Sequence, residues 1–255
     1  MARIDIIGTG IDAVDMAGVL EELPRLVALG RPSQVITANV DQLVTLRRRP
    51  ELGTIYLDAA LVVADGMPLV WASRFLKTPL PERINGTDLL ERACGLAAQQ
   101  GLSVFLLGGQ AGAAASAASN LLARFPGLNV AGTHEPYCGF ENDDAENDRI
   151  VSLCQEKKPD ILFTSLGFPK GVTWIDRHLA ACRVPLAIEV GASFVFVAGR
   201  IRRAPRWMQR TGLEWAWRLM HEPRRLWRRY LVTNTLFVCL AGRQLLRGIS
   251  GRGAE

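Results

Sequence analysis

Short unbroken apolar runs alternate with segments of helical period along most of this chain, and no other feature narrows the fold as far. The runs read RIDIIG (3–8), SQVITAN (33–39), LVVADG (61–66), SVFLLGG (103–109), LNVAGTH (128–134), DILFTSLG (160–167) and PLAIEVG (185–191). A strand that is apolar at successive positions must be covered on both faces, and helices between the strands provide the cover. Two such helices are 15–30, which ends at Gly30, and 86–101, with Thr87 or Asp88 near its start and Gly101 as its stop. The pattern predicts an α/β fold, a mostly parallel sheet with helices on both faces. A chain of 255 residues with 49% hydrophobic content can bury a large core.

Sites in such a sheet form beyond the C-terminal ends of the strands. Those ends read Gly8–Gly10, Thr37–Asn39, Asp65–Gly66, Gly108–Gly109, Gly167 and Glu189–Gly191, and they are expected to converge on one crevice. GTGIDA (8–13) matches a dinucleotide fingerprint, but the next strand ends in Asn39 where a ribose-binding acid is needed. A glycine-rich turn after an edge strand is the better reading. Asp65 is either an N-cap for the helix that follows or a carboxylate in the crevice that could act as a base. Gly108 and Gly109 either free backbone N–H groups for a phosphate or make a tight turn. Lys170 either neutralises a phosphate or is solvated.

Charge divides the chain. Residues 1–198 carry a net −5, residues 199–230 hold ten arginines against two glutamates, and residues 231–255 add +2. The composition shift near Ala198 sets the expected boundary between an α/β domain, 1–198, and a basic helical appendage, 199–255. Four of the six tryptophans (Trp207, Trp215, Trp217, Trp227) lie in the arginine-rich stretch. From Pro223 a helix would place Trp227, Tyr230, Leu231 and Asn234 near one face, beside Arg224, Arg225, Arg228 and Arg229. Arginine with tryptophan and leucine beneath is the pattern of a helix at a membrane interface. Arginine also forks onto phosphate. Nucleic acid is the rival partner, and the net negative charge of 1–198 argues against it. The five cysteines follow no ligand spacing and read as reduced thiols of a cytosolic chain, with neither a metal site nor a disulfide framework expected. No signal peptide precedes the first strand, and the late apolar run 235–242 is too short to span a bilayer.

Several blocks resemble the WecG/TagA/CpsF family of bacterial glycosyltransferases: TANVDQLV, ADGMPLVW, PERINGTDL, FLLGG, SLGFPK, FVAG and above all RAPRWMQRTGLEWAWRLMHEPRRLWRRY. The resemblance spans almost the whole chain. It implies a Rossmann-like core and an inverting, metal-independent and cofactor-free transfer of a sugar, N-acetylmannosamine-type or another hexose. The donor is a UDP-sugar and the acceptor a polyprenyl-diphosphate-linked saccharide, in cell-surface polysaccharide synthesis. By position, Asp65 matches the catalytic base, with Thr37 and Asn39 beside it. Gly108, Gly109, Gly167, Lys170 and Glu189 fall on the donor side. Arg83, Asp88, Arg218, Arg224, Arg225, Arg228 and Arg229 fall on the acceptor side. The implied location is the cytoplasmic face of the membrane, held peripherally, and the family precedent points to a homo-oligomer. The chain departs from the family pattern at Gly171 and Val172, where Gln-Glu is usual, at Glu189, where Gly is usual, and at Val195, where Asp is usual. These departures leave a catalytically silent relative that binds lipid-linked saccharide as the alternative reading.

Overall fold

The computed structural model describes residues 2–221 and 223–251, and leaves out the side chains of Arg210, Arg225, Leu226, Arg228, Arg229 and residues 248–251. Strands β1 (Arg3–Ile6) and β2 (Thr9–Asp12) form an antiparallel hairpin. Six further strands build the main sheet: β3 (Ser33–Ala38), β4 (Leu61–Ala64), β5 (Ser103–Gly108), β6 (Asn129–His134), β7 (Ile161–Ser165) and β8 (Leu186–Glu189). Their order is β4-β3-β8-β7-β5-β6, and every pairing is parallel. β3 and β5 are buried at every position; the buried Gln34 and Thr37 of β3 donate to the Val172 and Glu189 carbonyls.

The first run is the exception to the expected sheet. RIDIIG ends at Ile6 and turns back through Ile7 (φ 46) and Gly8 (φ 82) onto residues 9–12. Glycine at the second of two left-handed positions suits a tight hairpin turn. Gly8–Gly10 is therefore a hairpin and not a strand end at the crevice. The hairpin covers the β4 edge: the Asp12 carboxylate accepts the Val62 N–H at 2.7 Å and also receives Arg3 Nε at 3.2 Å. An otherwise open edge is thus capped.

Helices cover both faces. Met16–Ala28, Gly86–Gln100, Ala113–Arg124 and Ser193–Val197 bury residues such as Leu23, Leu89, Ala117 and Phe194 against Val35, Val63, Leu106, Phe163 and Ile188. The other face carries Val40–Arg48, Gly53–Asp58 and Met67–Phe75 at one end, with Asp144–Lys157 and Lys170–Cys182 at the other. The chain then runs through Arg206–Thr211 and Glu214–His221 into the long helix Pro223–Gly251.

That long helix packs on the first end of the sheet. Phe237 is 4% exposed and joins Leu43, Leu69 and Val172 in one apolar cluster. Gln244 accepts the Ile7 N–H at 2.7 Å and donates to the Asp5 carbonyl at 2.9 Å, tying the helix to the hairpin. The basic segment therefore shares the core of the α/β body. Among the described residues, no helix is long and apolar enough to cross a membrane.

Candidate active site

The order in which strands are added reverses between the neighbours β3 and β8, which run parallel. From β3 the chain goes outward to β4, then crosses to β5 on the far side. A crevice opens at such a point beyond the strand ends. Here it is a cavity of about 910 Å³ whose lining includes Asn39, Asp65, Arg83, Asn85, Gly167, Glu189, Glu214 and Arg218.

Asp65 follows β4 directly. Its backbone N–H continues the ladder to the Ala38 carbonyl at 2.7 Å. The cap of Met67–Phe75 is Gly66, so Asp65 does not spend its carboxylate as an N-cap. Instead Oδ1 accepts from Asn85 Nδ2 at 3.1 Å. Asn85 itself is fixed by capping Gly86–Gln100, its Oδ1 accepting the Thr87 N–H at 2.9 Å. Asp65 opens only toward the cavity, and the protein packed round it pushes its pKa up to about 6. Arg83, the Asn85 hydrogen bond and Arg218 pull the other way, and the Glu214 carboxylate adds to the rise. The result is a carboxylate ionised at neutral pH yet more basic than a solvated one.

Two arginines flank it. Arg83 pairs with Glu214 at 2.8 Å, both largely buried. Glu214 is also 3.7 Å from Arg203, which forks onto Asp88 at 2.6 and 3.3 Å. Arg218 lies over the Phe196 ring, 5.7 Å from its centroid, and its buried Nε has no hydrogen-bond partner among the described residues. Arg218 lines the cavity, and a guanidinium there is suited to an anionic ligand. Asn39 lines the cavity and also caps Val40–Arg48, accepting the Gln42 N–H at 3.1 Å.

The remaining expected residues are placed elsewhere. Thr37 is 3% exposed and donates its hydroxyl to the Glu189 carbonyl at 2.9 Å, behind the cavity wall. Gly108 and Gly109 form the left-handed turn after β5, where the Gly109 N–H is used by the Ser165 carbonyl. Lys170 pairs with Glu141 at 2.8 Å, and Asp88 lines an adjoining cleft of about 690 Å³ that shares Met67 and Arg83 with the cavity. Arg224 is exposed, and the side chains of Arg225, Arg228 and Arg229 lie outside the described residues. Sequence reasoning missed Glu214 and Asn85. Asn85 stood next to two singled-out residues. Glu214 was counted as one of two acids in a basic stretch, and that isolation was the signal available.

The departures from the family pattern fall into two groups. Val172 and Val195 are core residues. Glu189 and Gly171 form a pair: a Cβ added at Gly171 would run into the Glu189 carboxyl group. That carboxyl is 1% exposed and accepts from the Thr164 hydroxyl and from the Gly191 N–H at 3.2 Å. Burial pushes its pKa up to about 7, against the pull of these hydrogen bonds. Glycine at 171 is what lets the glutamate occupy this place.

A family profile described as "Glycosyl transferase WecG/TagA/CpsF family" matches residues 4–251. The chain belongs to this glycosyltransferase family. Two similar curated proteins, from Staphylococcus aureus strains MRSA252 and NCTC 8325, are both named N-acetylglucosaminyldiphosphoundecaprenol N-acetyl-beta-D-mannosaminyltransferase. Each is 29% identical over 229 residues, covering 89% of this chain and 88% of the relative. Fold and family agree: a Rossmann-like parallel sheet with a C-terminal helix. Among the described residues, no group of three or more His, Cys, Asp or Glu could hold a metal ion.

Proposed function

We propose that the chain transfers a hexose, of the N-acetylmannosamine type, from a UDP-sugar to a polyprenyl-diphosphate-linked saccharide, with inversion and without a metal or cofactor. The observation that carries this is Asp65, held by Asn85 at the cavity floor between two arginines, with its pKa pushed up to about 6. Asp65 accepts the proton of the acceptor hydroxyl as that oxygen forms a bond to the anomeric carbon. The bond from that carbon to the UDP β-phosphate oxygen breaks on the opposite face, and its electron pair leaves with UDP. The donor lies toward Gly167, Glu189 and Gly191, whose turns sit at the β7 and β8 ends. The acceptor diphosphate lies toward Arg218, whose guanidinium side chain lines the cavity.

The exposed Arg224, Trp227 and Leu231 of the long helix support peripheral attachment to an anionic membrane, and family precedent supports its cytoplasmic face. Self-association is part of this reading by family precedent.

The test is UDP release from UDP-N-acetylmannosamine with polyprenyl-diphosphate-GlcNAc as acceptor. Asp65→Asn should lower kcat by ~10²–10⁴-fold. A base must be ionised to work, so wild-type kcat/KM should fall by about tenfold per pH unit below pH 6. Near-normal turnover by the variant would remove Asp65 from this role.

A further inference from the structure

The cavity at Asp65 has two unlike ends. Asp65, Arg83, Glu214 and Arg218 make one end polar and charged. The other is an arm between Met67–Phe75 and Pro223–Gly251, lined by Trp71, Phe75, Leu76, Phe237, Val238 and Leu245. Ala72, Ala241 and Gly242 complete it, and Asp41, which also lines the cavity, accepts the Thr233 hydroxyl at 3.2 Å.

One face of the long helix carries the change. Tyr230, Thr233 and Asn234 border the polar end, and Phe237, Val238, Ala241 and Leu245 border the arm. From Phe237 to Leu245 is eight residues, or about 12 Å of helix. Phe237 is buried, but Val238 is 68% exposed, and across the arm Phe75 is 73% and Trp71 39% exposed. Large apolar side chains left open along a cavity mark a binding surface.

We propose that this arm holds the first isoprene units of the acceptor's lipid carrier. The identity of that acceptor rests on the transferase reading above. Such an acceptor has three parts in fixed order: a reacting hydroxyl, a diphosphate and a branched hydrocarbon. The cavity brings a base, cations and an apolar arm into one space. A flat bilayer could press on the mouth but could not enter an arm that runs to the base. The helix Met67–Phe75 belongs to the α/β body, so acceptor recognition is shared between the body and the C-terminal helix.

Gly242 offers a direct test. It lies within a helix at negative φ, lines the arm, and a Cβ built there meets nothing within 4 Å. Gly242→Trp should fold and fill the arm, and an unchanged or raised Tm checks this. Val238→Asn, at an exposed position, is the second variant.

Calorimetry on the full chain would compare inorganic diphosphate, isopentenyl diphosphate and geranylgeranyl diphosphate. Affinity should rise with chain length, on the order of tenfold for each isoprene unit buried. Both variants should cut the gain of geranylgeranyl diphosphate over isopentenyl diphosphate by about tenfold or more. No dependence on chain length, or the same dependence in both variants, would overturn the proposal. So would lysophosphatidylcholine competing as well as geranylgeranyl diphosphate, because the arm would then take any lipid tail. The two readings fail differently. Prenyl diphosphates that bind by chain length in a protein that transfers no sugar would leave the groove standing and sink the transferase. Equal KM for short- and long-chain acceptors in an active enzyme would do the reverse.

Discussion

At the end of β4 a single position, Asp65, carries the functional signal, whereas residues 199–230 spread theirs over ten arginines. The structure treats the two regions differently. Asp65 stands at the cavity floor beside Arg83, as its place at a strand end in a parallel sheet requires. The arginine-rich segment divides. Arg203 and Arg218 turn inward, one onto Asp88 and the other into the cavity, while Arg224 faces out. Beyond the arginines, Phe237 is in the core and Leu231, six residues earlier, is 62% exposed. A strand end in a doubly covered sheet singles out one side chain. Composition singles out only a stretch, because a helix turns its residues through every direction.

Three experiments sharpen or break this contrast. The largest effect is expected inside the C-terminal segment itself. Phe237→Ala should destabilise the fold by about 3–5 kcal/mol, since it empties a site in the cluster shared with Leu43 and Leu69. Leu231→Ala, on the same helix, should stay within about 0.5 kcal/mol. Urea denaturation of both variants measures the difference. Equal costs would mean that the helix is not anchored as described.

The second experiment probes the floor of the cavity. Gly171→Ala should cost roughly 1–3 kcal/mol, because its methyl group collides with the Glu189 carboxyl group. In a Glu189→Gly background the same change should cost clearly less, and the difference is the coupling between the two positions. If the costs simply add, Glu189 does not set the requirement for glycine at 171.

The smallest effect concerns Asp65 and stability. Its pKa rises from 3.8 in a free chain to about 6 in the fold, so the folded protein holds this proton more tightly than the unfolded one. This favours the fold below pH 4, and the advantage is lost as pH rises from about 4 to 6. Asp65→Asn removes the ionisation, so it should stabilise by about 1 kcal/mol at pH 8, or ~2–4 °C in Tm, and by less at pH 4. A variant less stable at pH 8 than at pH 4, relative to wild type, would contradict the burial described for this carboxylate.

Most of the main sheet was legible because its strands are covered on both faces. Desolvation then favours apolar residues on both faces, which shows as adjacent apolar residues in the VI of SQVITA and the VFLL of SVFLLG. RIDIIG was misassigned for a related reason. Its own residues suit a strand in either kind of sheet. Its actual partner, TGID, is only four residues long and not apolar throughout, so no run announced it. Asn85 and Glu214 were legible only in part. Each sits near a residue already singled out, but nothing local says that Asn85 hydrogen-bonds Asp65, 20 positions away, or that Glu214 pairs with Arg83, 131 positions away.

The sequence alone thus determined the six strands of the main sheet and their alternation with helices, the strand-end placement of Asp65 and the basic character of the C-terminal segment. These follow from local periodicity, from chain direction and from charge counted along the chain. Tertiary structure decided which arginines turn inward, that Glu189 and Gly171 share one space, and that Gln244 ties the last helix to a hairpin 237 residues earlier. The reason is geometric. A side chain's neighbours across the fold are set by how helices pack on the sheet, and that packing is encoded by the whole core rather than by the residues that meet.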